Sequence, residues 1–269
     1  AENTVSNVTM ANEYGSTYLT LLDNLGFSDL VRANTHEELV RLFDLLIRTA
    51  VDACLCHGRV EMQGSSPQLN AAEVRLNSLM ISDSILLWTD SATPADLEEL
   101  IWVTRALMDS MFRTGMPTRG AIGHGILSHK SAELATKQSN LVQTLFGRVL
   151  VEAHEDACKQ QWSGCTILAD CIDHYVAQFS DSAEGHSRLL TLADDEGSPL
   201  LMRFAVPYKE GTQERLVVRW VRSQDLLPDE NSVKQPFSLH NKKVVSSSVV
   251  EKVDNTLGFW RAACGLQRT

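Results

Sequence analysis

The sequence predicts an α+β domain, and three observations carry that expectation. Short β-prone apolar runs recur, at Tyr18-Leu19-Thr20-Leu21-Leu22, Leu79-Met80-Ile81, Ile85-Leu86-Leu87 and Arg119 to Leu127. Long stretches of helical period lie between them, opening at Thr35 and Thr93. Hydrophobic residues make up 43% of the 269 and charged ones 22%, enough apolar material for a sizeable core and too much for a disordered chain. No internal repeat and no long linker divides the chain. The expectation is a polar, turn-rich tail over 1–13 and one domain over 14–269, its core at about 16–170 and a C-terminal elaboration from 171 to 269.

The elements follow in order. The first strand, Tyr18 to Leu22, ends at Asp23-Asn24-Leu25-Gly26-Phe27, where Asn and Gly punctuate. Leu39, Leu42, Leu45 and Leu46 then recur at helical spacing behind Thr35 as N-cap and Glu38 three residues on, predicting one long capped helix. Arg59 to Asn70 shows weak periodicity and reads mostly as loop. The two apolar runs between Val74 and Trp88, pinched at Ser82-Asp83-Ser84, predict a hairpin with Asp83 at its tip. Thr93-Pro94-Ala95-Asp96 opens a second long helix with Pro at N1, stopped by Gly115 and Pro117. Arg119 to Leu127 is a strand whose glycines imply close approach by another backbone or a ligand. A polar loop to about Asn140 and a helix through Val151, His154 and Cys158 come next. Strands at Thr166–Leu168, Leu200–Pro207 and Arg215–Val221 and a helix at Val249–Cys264 complete the chain, with Val250, Val253, Leu257 and Trp260 on one stripe.

Charge and composition exclude several classes. Lys+Arg 24 against Asp+Glu 34 give a formal charge of −10, which a phosphate backbone repels, so no nucleic-acid partner is expected. Apolar runs such as Ile85 to Trp88 fall far short of the roughly 20 residues of a membrane span. The first twenty residues carry no basic segment followed by an apolar one, so the expected location is cytoplasmic, with no membrane partner. The six cysteines are scattered and read as reduced thiols. Within Cys54-Leu55-Cys56-His57, residues two apart on a helix point apart, which argues against zinc.

The chemistry-bearing pattern is a pair of aspartates. Asp23 follows Leu21-Leu22 at a strand end, and Asp83 sits in a turn between apolar runs. Turn aspartates also serve as simple caps. If the two strands share a sheet, however, their carboxylates converge on one edge, a donor set that suits Mg²⁺ or Mn²⁺ together with substrate phosphates. Leu25-Gly26-Phe27-Ser28 turns from strand into helix beside them, so backbone N–H groups can cradle phosphates. Neither a P-loop nor a Gly-x-Gly-x-x-Gly motif is present.

Four segments together resemble the class III nucleotidyl cyclases: Leu22-Asp23-Asn24-Leu25-Gly26-Phe27-Ser28, Ser82-Asp83-Ser84, Arg119-Gly120-Ala121-Ile122-Gly123-His124-Gly125 and Phe146-Gly147-Arg148-Val149-Leu150-Val151-Glu152-Ala153. The resemblance covers about residues 16–170. It implies a ferredoxin-like, palm-like domain with a mixed, mainly antiparallel sheet and helices packed on it, followed by a C-terminal α/β elaboration. The position of the purine-reading lysine, four before the second aspartate, is Leu79, and the family's transition-state Asn and Arg fall on Val151 and Glu155. The other base-reading position falls near Thr144. With Ser-Asp-Ser at the hairpin tip, the pattern is most similar to the uridylate and cytidylate cyclases of bacterial Pycsar antiphage systems.

The resemblance implies an enzyme, a pyrimidine nucleotide cyclase (a lyase) that makes cyclic UMP, or alternatively cyclic CMP, and pyrophosphate for antiviral defence. It implies two ions of Mn²⁺ or Mg²⁺ per site on Asp23 and Asp83, with the backbone carbonyl of Asn24 as a further ligand. Asn24, Leu25, Gly26, Phe27, Leu79, Thr144 and Arg148 would bind substrate, and Tyr18 or Phe27 would stack on the base. Arg119, Arg148 and Lys130 are candidate transition-state cations, with Arg119 leading. His124 reads as structural. The implied partners are UTP or CTP, a second copy in a homodimer with active sites at the interface, and a separate effector that reads the cyclic product. The alternatives are an adenylate or guanylate cyclase and a non-catalytic cyclase-like nucleotide-binding module.

Overall fold

β1 (Ala11–Asn24) runs through the middle of an eight-stranded, mainly antiparallel sheet. The computed structural model describes residues 11–63, 66–69, 74–132, 142–221 and 229–265. On one side of β1 stands the hairpin of β4 (Leu76–Ile81) and β5 (Ser84–Thr89), and on the other β6 (Thr118–Ala132), to which β7 (Val142–Phe146) pairs. β8 (Cys165–Ile167), parallel to β6, carries the sheet on to β10 (Gly211–Val218) and β9 (Leu201–Tyr208). The predicted C-terminal elaboration thus extends the same sheet.

Alternation along β1 sends Tyr18, Thr20 and Leu22 to one face and Leu19, Leu21 and Asp23 to the other. The first face carries the main core, where Tyr18 and Leu22 join α4 (Pro94–Arg113) through Leu100, Ile101 and Met111. The helix opens at Thr93 as expected, with Pro94 in its first turn, and a capping box forms there, the Thr93 side chain accepting from the Asp96 amide. α9 (Ser247–Ala263) buries Val253, Leu257 and Trp260 in this core, whereas Val250 stays exposed. The second face packs Leu19, Leu21, Leu86, Trp88 and Ala121 under α5 (Arg148–Lys159) through Val149, Ala153 and Ala157.

Several expectations need correction. Residues 11–13, expected in the tail, pair in β1; residues 1–10 lie outside those described. The capping box at Thr35 is present, but the single long helix is three pieces: α2 (His36–Leu42), a π-helical turn (Phe43–Ile47) and α3 (Arg48–Leu55). The wider turn rotates the stripe, leaving Leu45 67% exposed although its spacing predicted burial. The segment read as loop, Arg59 to Asn70, holds the two-stranded ribbon of β2 (Val60–Gln63) and β3 (Ser66–Leu69), which among the described residues pairs with no other strand and so shows no strong period. Short helices α6 (Ala169–Val176), α7 (Ser182–Leu190) and α8 (Glu230–Ser238) fill the C-terminal part, each too short to leave a readable period. Between α2 and β1 lies α1 (Phe27–Ala33). Among the described residues no helix is long and apolar enough to cross a membrane.

One glycine of the β6 motif explains itself at this level. A Cβ on Gly120 would stand 2.2 Å from the carbonyl oxygen of Leu21, so the close approach expected there is by backbone. Val149 of α5 packs against the positions of Gly123 and Gly125, which draws that helix down onto the sheet.

Candidate active site

Three strand ends meet where β1 stops. Asp23 lies opposite Ser84 of β5 on one side and opposite Arg119 of β6 on the other. The Asn24 amide donates to the Asp83 carbonyl at 2.9 Å, which ties the end of β1 to the hairpin tip. That tip turns through Ser82 at φ 56°, a left-handed conformation uncommon for a residue with a side chain. The two aspartates singled out by sequence are thereby neighbours.

Their electrostatics bear the arrangement out. Burial, the first cause, lifts the Asp23 carboxyl above its ordinary range, and the neighbouring Asp83 carboxylate pushes the same way. Arg119 opposes both. Its Nε and Nη2 each donate to Asp23 Oδ2 at 2.9 Å. Its Nη1 donates to the carbonyls of Cys158 and Gln160 at 3.3 and 3.1 Å, at the C-terminal end of α5. Arg119 is therefore a brace between Asp23 and the end of a helix.

Beyond Asn24 the chain turns at Gly26, φ 77°, which serves as an uncapped N-cap for α1. Leu25 is fixed by its amide donating to the Pro117 carbonyl at 2.8 Å. Asp23, Asn24, Leu25, Gly26, Phe27, Asp83 and Arg119 line one pocket of about 400 Å³. Phe27 stands there edge-on to Phe43.

The donor set fits a hard divalent cation. Two adjacent carboxylates repel each other until a cation sits between them, and Arg119 occupies only Oδ2 of Asp23. Asn24 Oδ1, beside them, is buried without a hydrogen-bond partner. Among the described residues no group of three or more His, Cys, Asp or Glu forms a side-chain cage, so an ion here would need further oxygens from backbone, water or substrate.

Other residues singled out by sequence are elsewhere. Leu79 is half-buried against the second core, Thr144 is exposed on β7, and Arg148 is exposed and paired with Glu152 at 2.6 Å. Arg148 lines a separate groove with Phe146 and Glu152. One chain does not bring these three to the aspartates. The side chain of Lys130 lies outside the described residues. Tyr18, expected as a possible stacking ring, is fully buried in the main core, its hydroxyl 2.9 Å from His174 Nδ1, because its place in the alternation of β1 turns it inward. In the Cys54–His57 cluster, His57 Nε2 lies 2.6 Å from Glu99 while Cys54 and Cys56 are buried.

His124 stacks on His174 with centroids 3.6 Å apart, and its Nε2 lies 2.7 Å from Ser16 Oγ. Burial first, and His174 second, lower its pKa from 6.5 to about 4. Between those values the unfolded chain binds more protons than the folded one, so this pair stabilises the fold above pH 6.5 and loses that contribution as pH falls toward 4. Thermal unfolding of His124→Gln is expected to fall less steeply over that window than that of the parent protein.

No protein-family model matches the chain, and no curated protein matches it. Solved structures do match. The dimeric guanylyl cyclase domain of the RhoGC fusion protein from the aquatic fungus Blastocladiella emersonii aligns at 11% identity with a TM-score of 0.50, over 77% of this chain and 97% of that one. The fold is that of the class III cyclases. The adenylyl cyclase CyaB from P. aeruginosa aligns at 13% identity and TM-score 0.49, over 80% of this chain and 99% of that one. The guanylyl cyclase Cya2 aligns at 9% identity and TM-score 0.48, over 77% and 92%.

On this cyclase fold the pocket has a wall that sequence reasoning missed. Gln161, Lys209 after β9, and Ser248 and Lys252 of α9 line the same pocket as the aspartates. Lys209 reads in sequence as an ordinary solvated hairpin tip and Lys252 as the polar side of a helix. Only the fold shows that both return to the end of β1.

Proposed function

We propose that the chain is a nucleotidyl cyclase that converts a pyrimidine nucleoside triphosphate, UTP in preference to CTP, to the 3′,5′-cyclic monophosphate and pyrophosphate. The observation that carries this reading is the meeting of Asp23 and Asp83 beside the Gly26 turn, on a class III cyclase fold. The product would be a second messenger for a separate effector in antiphage defence, as the resemblance to the Pycsar cyclases implies.

Two divalent cations, Mn²⁺ or Mg²⁺, held by Asp23, Asp83 and the Asn24 backbone carbonyl, would acidify the ribose 3′-hydroxyl and neutralise the departing pyrophosphate. The chain's own residues do the positioning. Asp83 is set by the bond from the Asn24 amide to its carbonyl, and Asp23 by Arg119. The uncapped opening turn of α1 leaves backbone N–H groups for the phosphates. By the resemblance, Leu79 takes the position of the purine-reading lysine, so a base site to which a second copy brought it would lack that charge, which favours a pyrimidine. Thr144 and Arg148 lie away from the aspartates, so a second copy would have to bring them to the pocket, consistent with a homodimer whose sites lie at the interface.

Mass-spectrometric product analysis with ATP, GTP, CTP and UTP, each with Mn²⁺ and Mg²⁺, tests the substrate. Cyclic UMP, with less cyclic CMP, is the expected outcome. Cyclic AMP or cyclic GMP as the main product would overturn the pyrimidine reading and make the chain a purine cyclase.

A further inference from the structure

The proposed reaction needs positive charge on the phosphates, and the cations nearest the aspartates are unequally available. Arg119 uses Nε and Nη2 on Asp23 and Nη1 on two carbonyls, so most of its donors are spent inside the protein. On α5 the positions where the resemblance expects an Asn and an Arg are Val151 and Glu155, and Arg148 is paired with Glu152 over another groove. Lys252 lines the aspartate pocket itself. Its Nζ is held at the wall by Ser248, donating to Oγ at 2.7 Å and to the carbonyl at 3.2 Å. It is half-buried and, among the described residues, has no carboxylate in ion-pair contact.

We propose that Lys252 of α9 is a triphosphate-binding residue of this pocket, supplied in cis by the C-terminal helix rather than by α5. The assignment rests on the reading of the pocket as a nucleoside-triphosphate site. A lysine binds phosphate as a point charge on a long stem, and Ser248 holds that charge in the pocket that Asp23 and Asp83 also line. Lys209, on the same wall, adds a second cation at an exposed turn. Burial first and the charge of Arg119 second, with Lys209 adding to them and the Glu251 carboxylate opposing, hold the Lys252 ammonium below the ordinary lysine range. The proposal gives the C-terminal elaboration a catalytic-site role, since α9 both closes the core through Leu257 and Trp260 and reaches the pocket through Lys252.

The test is calorimetric binding of inorganic tripolyphosphate in Mg²⁺, a probe that carries no base and undergoes no cyclisation. Lys252→Ala is expected to weaken binding by about tenfold and to flatten its salt dependence. Lys252→Arg should restore most of the affinity. Lys252→Gln keeps the length of the stem for α9 packing and should behave as Lys252→Ala does, so a loss of affinity with unchanged thermal unfolding excludes misfolding as the cause. Lys234→Ala, on the exposed side of α8, should bind as the parent does. Parent-like affinity in both Lys252→Ala and Lys252→Gln would overturn the assignment of Lys252 alone. Failure of the parent protein to bind tripolyphosphate would overturn both it and the reading of the pocket.

Discussion

Asp83→Ala is expected to lower cyclic-nucleotide formation by at least about 100-fold while leaving thermal unfolding nearly unchanged. The carboxylate is half-buried in a two-residue turn, and what fixes that turn to β1 is the backbone bond from the Asn24 amide, which the substitution keeps. Asp23→Ala should remove activity as completely, but with a cost in stability, because it strands the Arg119 guanidinium beside the carbonyls of Cys158 and Gln160. The contrast between the two is informative: both remove a carboxylate of the proposed metal site, and only one breaks a brace. Manganese binding followed by electron paramagnetic resonance should weaken in both variants. Near-normal turnover in Asp83→Ala would show that the aspartate pair is not the reaction centre.

Arg119→Ala should be the most damaging single change to a cation in the pocket. The Arg119–Asp23 pair has both side chains about 15% exposed, and removing the guanidinium leaves a carboxylate beside Asp83 with nothing to offset the repulsion. The expected loss is roughly 2–3 kcal/mol in unfolding free energy. Because Asp23 would no longer be held toward its neighbour, kcat should fall by about 100-fold with a smaller change in KM. Arg119→Lys keeps a charge but not the fork that reaches Asp23 and two carbonyls together, so it should recover part of the stability and little of the rate. A variant whose KM for the triphosphate rises tenfold while kcat holds would instead mean that Arg119 leaves Asp23 to bind phosphate.

The fold was legible where local signals are strong. The Thr35 capping box, the Pro94 opening of α4, the hairpin around Asp83 and the strand ending at Asp23 could all be read from neighbouring residues, because caps, turns and alternation act over a few positions. The π-helical turn at Phe43–Ile47 was not legible, since a helix that widens for one turn keeps the composition of a regular one. The ribbon at β2 and β3 was missed for a related reason: among the described residues it pairs with no other strand.

The site was half legible. Asp23 and Asp83 stand out because an acidic residue between apolar runs is an anomaly that chemistry explains. Their partners are set by register and by long-range packing. That Arg119 faces Asp23 follows from the β1–β6 pairing, and that Lys252 lines the same pocket as both aspartates follows from α9 folding back on the sheet some 230 residues later in the chain, neither of which leaves a trace in the local sequence.

Phosphorus NMR of the full chain turning over UTP with Mn²⁺ or Mg²⁺ reads the proposed reaction itself. A 3′,5′-cyclic monophosphate and pyrophosphate are expected together in equal amounts, and neither with Asp83→Ala. Release of orthophosphate with a nucleoside diphosphate, or tight nucleotide binding with no turnover in either metal, would contradict it.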